Sequence, residues 1–257
     1  MTTRLKRRDL LQAGAGILGA AVLPATRAHA QQKAGYEFVV KDLVYRRDGD
    51  KPRLARLYQP AGPGPFPAVL QVHGGAWNNK DRTDGQNVSL DLAEAGIVVL
   101  AIDFRNAPEA PYPASLQDIN YGIRWLKAHA AEFGSSAGQV GAYGTSSGGH
   151  QILLAAIRPD DPRYRALPFA AAPDVDAKLA FVVSGWGVLF PLERYKLAKA
   201  KGDEKLAKGH DTFFGNEETQ IEATPAAAWT CCCSRAHATR FSTSIPSSPI
   251  RSRHSRP

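Results

Sequence analysis

From Tyr36 onward, apolar and polar residues alternate with a period of two, which predicts strands over 36–47 and 53–58 joined by a turn at Asp48-Gly49-Asp50. A Pro/Gly run over 60–65 predicts a loop, and 68–72 is a short apolar run of the kind buried strands show. The pattern turns helical over 88–95 and stops at Gly96, a fitting C-terminal cap. Residues 97–104 form an apolar run interrupted only by Asp103, as expected of a strand covered on both faces. After a proline-stiffened loop over 105–114, apolar Leu116, Ile119, Ile123 and Leu126 follow helical spacing. They predict a helix with one face on the sheet, ending before Gly134. A strand over 139–144, a helix over 150–157 and a strand over 178–188 follow. A charged helical segment at 191–208 comes next, with Thr212-Phe213-Phe214 in a loop beyond it. Alternation of strand and helix predicts an α/β fold, with a mostly parallel sheet covered by helices on both faces.

Chemistry enters at the end of the 139–144 strand. Gly144-Thr145-Ser146-Ser147-Gly148 joins that strand to a helix, the setting that makes G-x-S-x-G a nucleophile elbow. A serine lifted clear of the sheet needs a strained backbone on a very tight turn. The residues two before and two after it then press on neighbouring backbone, which requires Gly144 and Gly148. Ser146 is the predicted nucleophile, and the amide of Ser147 opens the helix and points at the same spot. A second glycine motif, His73-Gly74-Gly75-Ala76-Trp77, follows the 68–72 strand, where backbone N–H groups can face outward.

Composition changes this picture at the two ends. The net charge of +8 comes from +4 in residues 1–30 and +5 in residues 231–257, leaving −1 for the body. A near-neutral body argues against a nucleic-acid partner. Lys6-Arg7-Arg8-Asp9-Leu10-Leu11-Gln12, an apolar Gly/Ala run and Ala28-His29-Ala30 together predict a twin-arginine-type signal peptide over 1–30. The apolar run is too short to span a bilayer core of about 30 Å. The expected location is therefore periplasmic or secreted, with no stable membrane insertion after cleavage. The three cysteines are consecutive, Cys231 to Cys233, and three successive side chains do not converge easily on one metal even with His237 nearby. No metal and no organic cofactor is expected. Residues 230–257 turn abruptly to Ser, Arg, Pro and Cys without periodicity, which predicts disorder and suggests an out-of-frame tail.

Both glycine motifs, with Ala107-Pro108-Glu109, Pro113, Ala114, Asp118 and Arg124-Trp125-Leu126, resemble α/β-hydrolases of the esterase/lipase group. The similarity is to the hormone-sensitive-lipase-like and feruloyl-esterase-like members, and it runs from about residue 36 to 229. His73-Gly74-Gly75-Ala76-Trp77 also resembles the HGGxW motif of arylformamidases. The resemblance implies a three-layer α/β-hydrolase sandwich over 31–229, with 191–229 as a cap or lid segment. It implies a serine hydrolase acting on small-molecule carboxylic esters through an acyl-enzyme on Ser146. The amides of Gly75, Ala76 and Ser147 would hold the oxyanion, while His73, Gly74, Trp77, Gly144 and Gly148 support the motifs. His73 then braces its loop rather than transferring protons, and His150, one turn past the serine, is structural. The family order of Ser, then acid, then His finds no strands after residue 228 to carry the last two members. The sheet is thus expected to be incomplete at its C-terminal edge and the chain nearly inactive. Other candidates for the missing base are His210, His237 and His254, with Asp203, Asp211, Glu217 or Glu222 as the acid. An arylformamidase-type amide hydrolase, or a non-catalytic binding protein that keeps the pocket, are the alternatives.

Overall fold

A computed structural model describes residues 35–226. The first two strands, β1 (Phe38–Asp48) and β2 (Lys51–Pro60), form a hairpin closed by Gly49 and Asp50, with Gly49 supplying the positive φ that the tight turn demands. β3 (Phe66–Val72), α1 (Gln86–Glu94), β4 (Val98–Ile102) and α2 (Ala114–His129) follow. A 3₁₀ turn at Ala130–Phe133 ends on left-handed Gly134 and leads into β5 (Ser135–Thr145) and α3 (Ser147–Ile157). A loop then reaches the short β6 (Val182–Gly185), and α4 (Pro191–Ala200), α5 (Glu204–Phe214) and α6 (Glu217–Glu222) complete the described part.

The strand order is β1-β2-β4-β3-β5-β6. The β4-β3, β3-β5 and β5-β6 pairs are parallel, and the hairpin joins antiparallel on one side. β3 and β5 therefore lie at the centre, side by side, with their carboxyl ends together: Val72 pairs with Gly144. That register sets the two glycine motifs next to each other. The larger core lies on one face, where Leu57, Leu70, Leu100, Ile102, Val140 and Ala142 meet Leu116, Ile119, Ile123 and Leu126 of α2 and Ile152, Leu154 and Ala155 of α3. All four apolar α2 residues predicted to face the sheet are fully buried. A smaller cluster on the other face packs Tyr58, Val69, Val99 and Ala101 under Ala93 of α1. The α/β class, the mostly parallel sheet and helices on both faces are as expected from the sequence.

Three element predictions are corrected. The charged segment 191–208 is two helices rather than one, broken at Gly202, which has φ 70°. Thr212, Phe213 and Phe214 are not in a loop but form the last turn of α5. The helix is started by the Asp203 side chain, which accepts from the Leu206 amide, and Leu206, Ala207, His210, Phe213 and Phe214 recur at helical spacing. The strand predicted over 178–188 shrinks to the four residues Val182–Gly185 and ends at Trp186, whose φ of 53° is incompatible with an extended strand. The expected signal peptide over 1–30 and the expected tail over 230–257, with Cys231–Cys233, His237 and His254, lie outside the described residues.

Candidate active site

The site is built on backbone contacts between two strand ends. A Cβ on Gly148 would stand 2.2 Å from the Val72 carbonyl oxygen and 2.4 Å from that of His73. One on Gly144 would stand 2.8 Å from the Gly148 carbonyl and 3.0 Å from that of Val72. Backbone cannot retreat as a side chain can, so both positions admit only hydrogen. Between these glycines Ser146 has φ 51° and ψ −121°, a conformation that costs about 1–3 kcal/mol and persists only where its surroundings hold it. Its amide donates to Gly185 of β6 at 2.8 Å, and its carbonyl accepts the His150 amide at 3.0 Å, opening α3. The Ser147 amide, in the first turn of α3, has no intrahelical acceptor.

The second loop reaches the same place. A Cβ on Gly74 would lie 3.4 Å from Ser146 Cβ and 3.2 Å from the Thr145 carbonyl oxygen. Gly75, Ala76 and Trp77 then take three successive positive φ values of 102°, 51° and 66°. Gly75 is confined further, since a Cβ there would meet the Asn79 carbonyl oxygen at 2.3 Å. The turn is closed by the Asn78 amide on the Gly75 carbonyl and by the Ala107 amide on the Trp77 carbonyl, at 3.2 and 3.0 Å. Gly75, Ala76, Thr145 and Ser146 are half-buried, whereas Gly74, Trp77, Gly144, Ser147 and Gly148 around them are buried.

Two buried histidines flank this arrangement. His73 stacks on Phe104 with ring centroids 4.1 Å apart and donates from Nδ1 to the Gly74 carbonyl, 2.9 Å away. Burial lowers its pKa, so it stays neutral and braces the loop. His150 is fully buried and makes two bonds that fix its tautomer. The Trp77 indole N–H donates to its Nδ1 at 3.2 Å, and its own Nε2–H donates to the Ala223 carbonyl at 2.8 Å.

Trp77 is the hub of a larger aromatic cluster. It stacks on Phe213 at 5.3 Å and meets Phe214 and His210 edge-on at 5.0 and 4.9 Å. A Cβ on Gly209 of α5 would be 3.6 Å from the Ala76 carbonyl oxygen, so α5 lies directly on the second glycine loop. The far end of this helical segment is held by Glu222. Its carboxylate accepts from the Tyr112 hydroxyl at 2.7 Å and from Arg163 at 2.9 Å, and pairs closely with Arg158. Those arginines and the Tyr112 hydroxyl outweigh burial and lower the Glu222 pKa. Sequence reasoning missed this anchor and the role of Phe213 and Phe214, although the helical spacing around His210 was there to be read.

Among the described residues, the proposed acid–base partners are engaged away from Ser146. His210 donates from Nδ1 to Gln220 Oε1 at 2.8 Å and accepts from Arg194 at 3.3 Å; burial takes its pKa down to about 4. Asp203 caps α5, Glu217 pairs with Lys196 at 3.9 Å, and Glu222 is tied as above. His129 bonds the Trp125 carbonyl at 2.8 Å. Among the described residues, none of the histidines is hydrogen-bonded to Ser146. Also among the described residues, no group of three His, Cys, Asp or Glu side chains could hold a metal ion, and no helix is long and apolar enough to cross a membrane.

The BD-FAE family profile matches residues 56–228, well over half of the chain. The chain belongs to the BD-FAE family. Both glycine loops and the aromatic cluster fall inside the matched range. Among its relatives are esterase LipC of Mycobacterium tuberculosis, 37% identical over 115 residues, and carboxylic ester hydrolase LipN of the same organism, 38% identical over 117 residues. Each alignment takes in 44% of this chain but only 28% and 31% of the relative, so the chain spans less than a third of the length of these curated relatives. Among solved structures, esterase LipW of Mycobacterium marinum is similar with a TM-score of 0.50 and 28% identity, over 60% of this chain and 45% of that one. Inhibited esterase B of Lactobacillus rhamnosis reaches a TM-score of 0.60 over 74% of this chain and 62% of that one; at 23% identity it speaks for the fold alone. These likenesses make the BD-FAE member an α/β-hydrolase of the esterase group, as its motifs imply.

Proposed function

We propose that this chain carries the acyl-transfer half of a serine esterase site, with small-molecule carboxylic esters as substrates. Ser146 is the nucleophile: its Oγ gives up its proton and adds to the ester carbonyl. The tetrahedral intermediate collapses to an acyl-enzyme as the C–O bond breaks and the alcohol leaves with a proton. The amides of Gly75, Ala76 and Ser147 face the developing oxyanion, where each donor is worth on the order of a hundredfold or more in rate. One observation carries the reading: the strained Ser146 and the positive-φ Gly75–Ala76 turn emerge together from a buried surround, with Gly74 against Ser146 Cβ. Esterase names among the relatives and neighbours agree with it.

Turnover carried by the described residues alone is expected to be low. Each described histidine is engaged elsewhere, and a triad hydrolase without its base loses up to about a millionfold in kcat while keeping roughly 10³–10⁴ over water. The test is prolonged incubation of the full chain with a fluorophosphonate, followed by mass spectrometry. Slow modification at Ser146 alone is expected, with none in Ser146→Ala. Modification at another residue, or none in the native chain, would overturn the assignment.

A further inference from the structure

The Trp77–His150–Ala223 chain of hydrogen bonds is not needed to explain the elbow, yet it uses three buried groups from three separate segments. Trp77 belongs to the loop after β3, His150 to the first turns of α3, and Ala223 directly follows α6. His150 touches both others: the indole N–H ends on its Nδ1 and its Nε2–H ends on the Ala223 carbonyl. An imidazole can accept on one nitrogen only while the other carries the proton. Docking of the segment after α6 therefore selects the tautomer that accepts from Trp77. Trp77 in turn has φ 66° and follows Ala76 at φ 51°, a conformation both residue types disfavour.

We propose that His150 is a positioning residue that couples docking of the helical segment 191–223 to the shape of the Gly75–Trp77 oxyanion turn. The inference rests on the esterase reading for its effect on rate, but its structural content stands apart from it. With the segment docked, the tautomer is set and the turn holds its amides toward Ser146. With Ala223 withdrawn, the imidazole loses its preference, the indole loses its acceptor, and the turn relaxes from its positive-φ conformation. Glu222, tied to Tyr112, Arg158 and Arg163, keeps Ala223 within reach.

Separating the two bonds tests this in the full chain. Asparagine at 150 offers an acceptor near the former Nδ1 but no donor at Ala223; glutamine offers a donor near the former Nε2 but no acceptor for Trp77. Hydrogen exchange is read at the Asn78 and Ala107 amides, which close the turn, and at the Ala223 and Thr224 amides beyond α6. His150→Asn should leave the turn amides as in the native chain and speed exchange at Ala223 and Thr224 about tenfold. His150→Gln should do the reverse, and Trp77→Phe, which keeps the ring stack on Phe213, should match His150→Gln at the turn. Fluorophosphonate modification of Ser146 should follow the turn: near native in His150→Asn, about tenfold slower in His150→Gln and Trp77→Phe. Equal changes in both regions for both His150 variants would mean mere packing and overturn the proposal, as would no change in either. If the native chain is not modified at Ser146, the nucleophile assignment fails, and the exchange pattern still decides the coupling.

Discussion

The carboxyl end of the sheet has two unlike regions. At its centre, β3 and β5 end in glycine loops whose hydrogens point at carbonyls 2.2–3.0 Å from where a Cβ would be, under a fully packed aromatic cluster. At its margin, β6 pairs on one side only among the described strands, and Val183, Phe190 and Trp186 are 52, 52 and 87% exposed. Both regions contain a non-glycine residue with positive φ near 50°, Ser146 and Trp186. Strain at Ser146 is held by its backbone bonds to Gly185 and His150 and by close contact with Gly74, whereas Trp186 has almost no cover. Strain that serves a site thus needs enclosure, and enclosure here comes from main-chain contact at the centre of the sheet.

The largest effect should come from breaking that contact. Gly148→Ala drives a Cβ into two backbone carbonyls, so unfolding in urea should show a loss of roughly 3–5 kcal/mol, with Ser146 modification lost as well. A stability change below 1 kcal/mol would show that the loops can part, and the contrast with the margin would vanish.

Acid should weaken the centre next. His150 and His210 both lie against Trp77, and burial takes each pKa from an ordinary 6.5 down to about 4. Between those values the unfolded chain holds more protons than the folded one. The stability from keeping His150 neutral is therefore complete above about pH 6.5 and is lost as pH falls toward 4, on the order of 2–3 kcal/mol for that residue. Urea midpoints measured across this range should fall with pH, and less steeply in His150→Asn. A flat profile in the native chain would remove the histidines from the account.

The margin should respond least. Val183→Lys places a charge on an exposed edge-strand position and should change unfolding free energy by only about 0.5 kcal/mol while raising the soluble fraction on expression. A loss comparable to that of Gly148→Ala would mean that the β6 margin is as tightly enclosed as the centre.

Much of this could be read before any coordinates. Helical spacing located the buried face of α2, because burial of one face imposes that periodicity locally, and a continuous apolar run located the covered strand β4. The two glycine motifs marked the strand tips, since a Cβ excluded by backbone leaves its signature as the residue type itself. The helical segment after β6 was read less well. It was read as one charged helical segment followed by a loop, while Gly202 breaks it and Phe213 and Phe214 turn inward onto Trp77 from the last turn of α5.

Residue type and spacing, being set by short-range sterics, determined the strand–turn–helix units and singled out Ser146. Which loop faces which, and what each histidine bonds, depended on tertiary packing. Parallel pairing of β3 with β5 joins residues 72 and 144, and the Trp77–His150 and His150–Ala223 bonds each span 73 positions. Contacts over such distances follow from how the elements stack, and local sequence patterns carry no record of them.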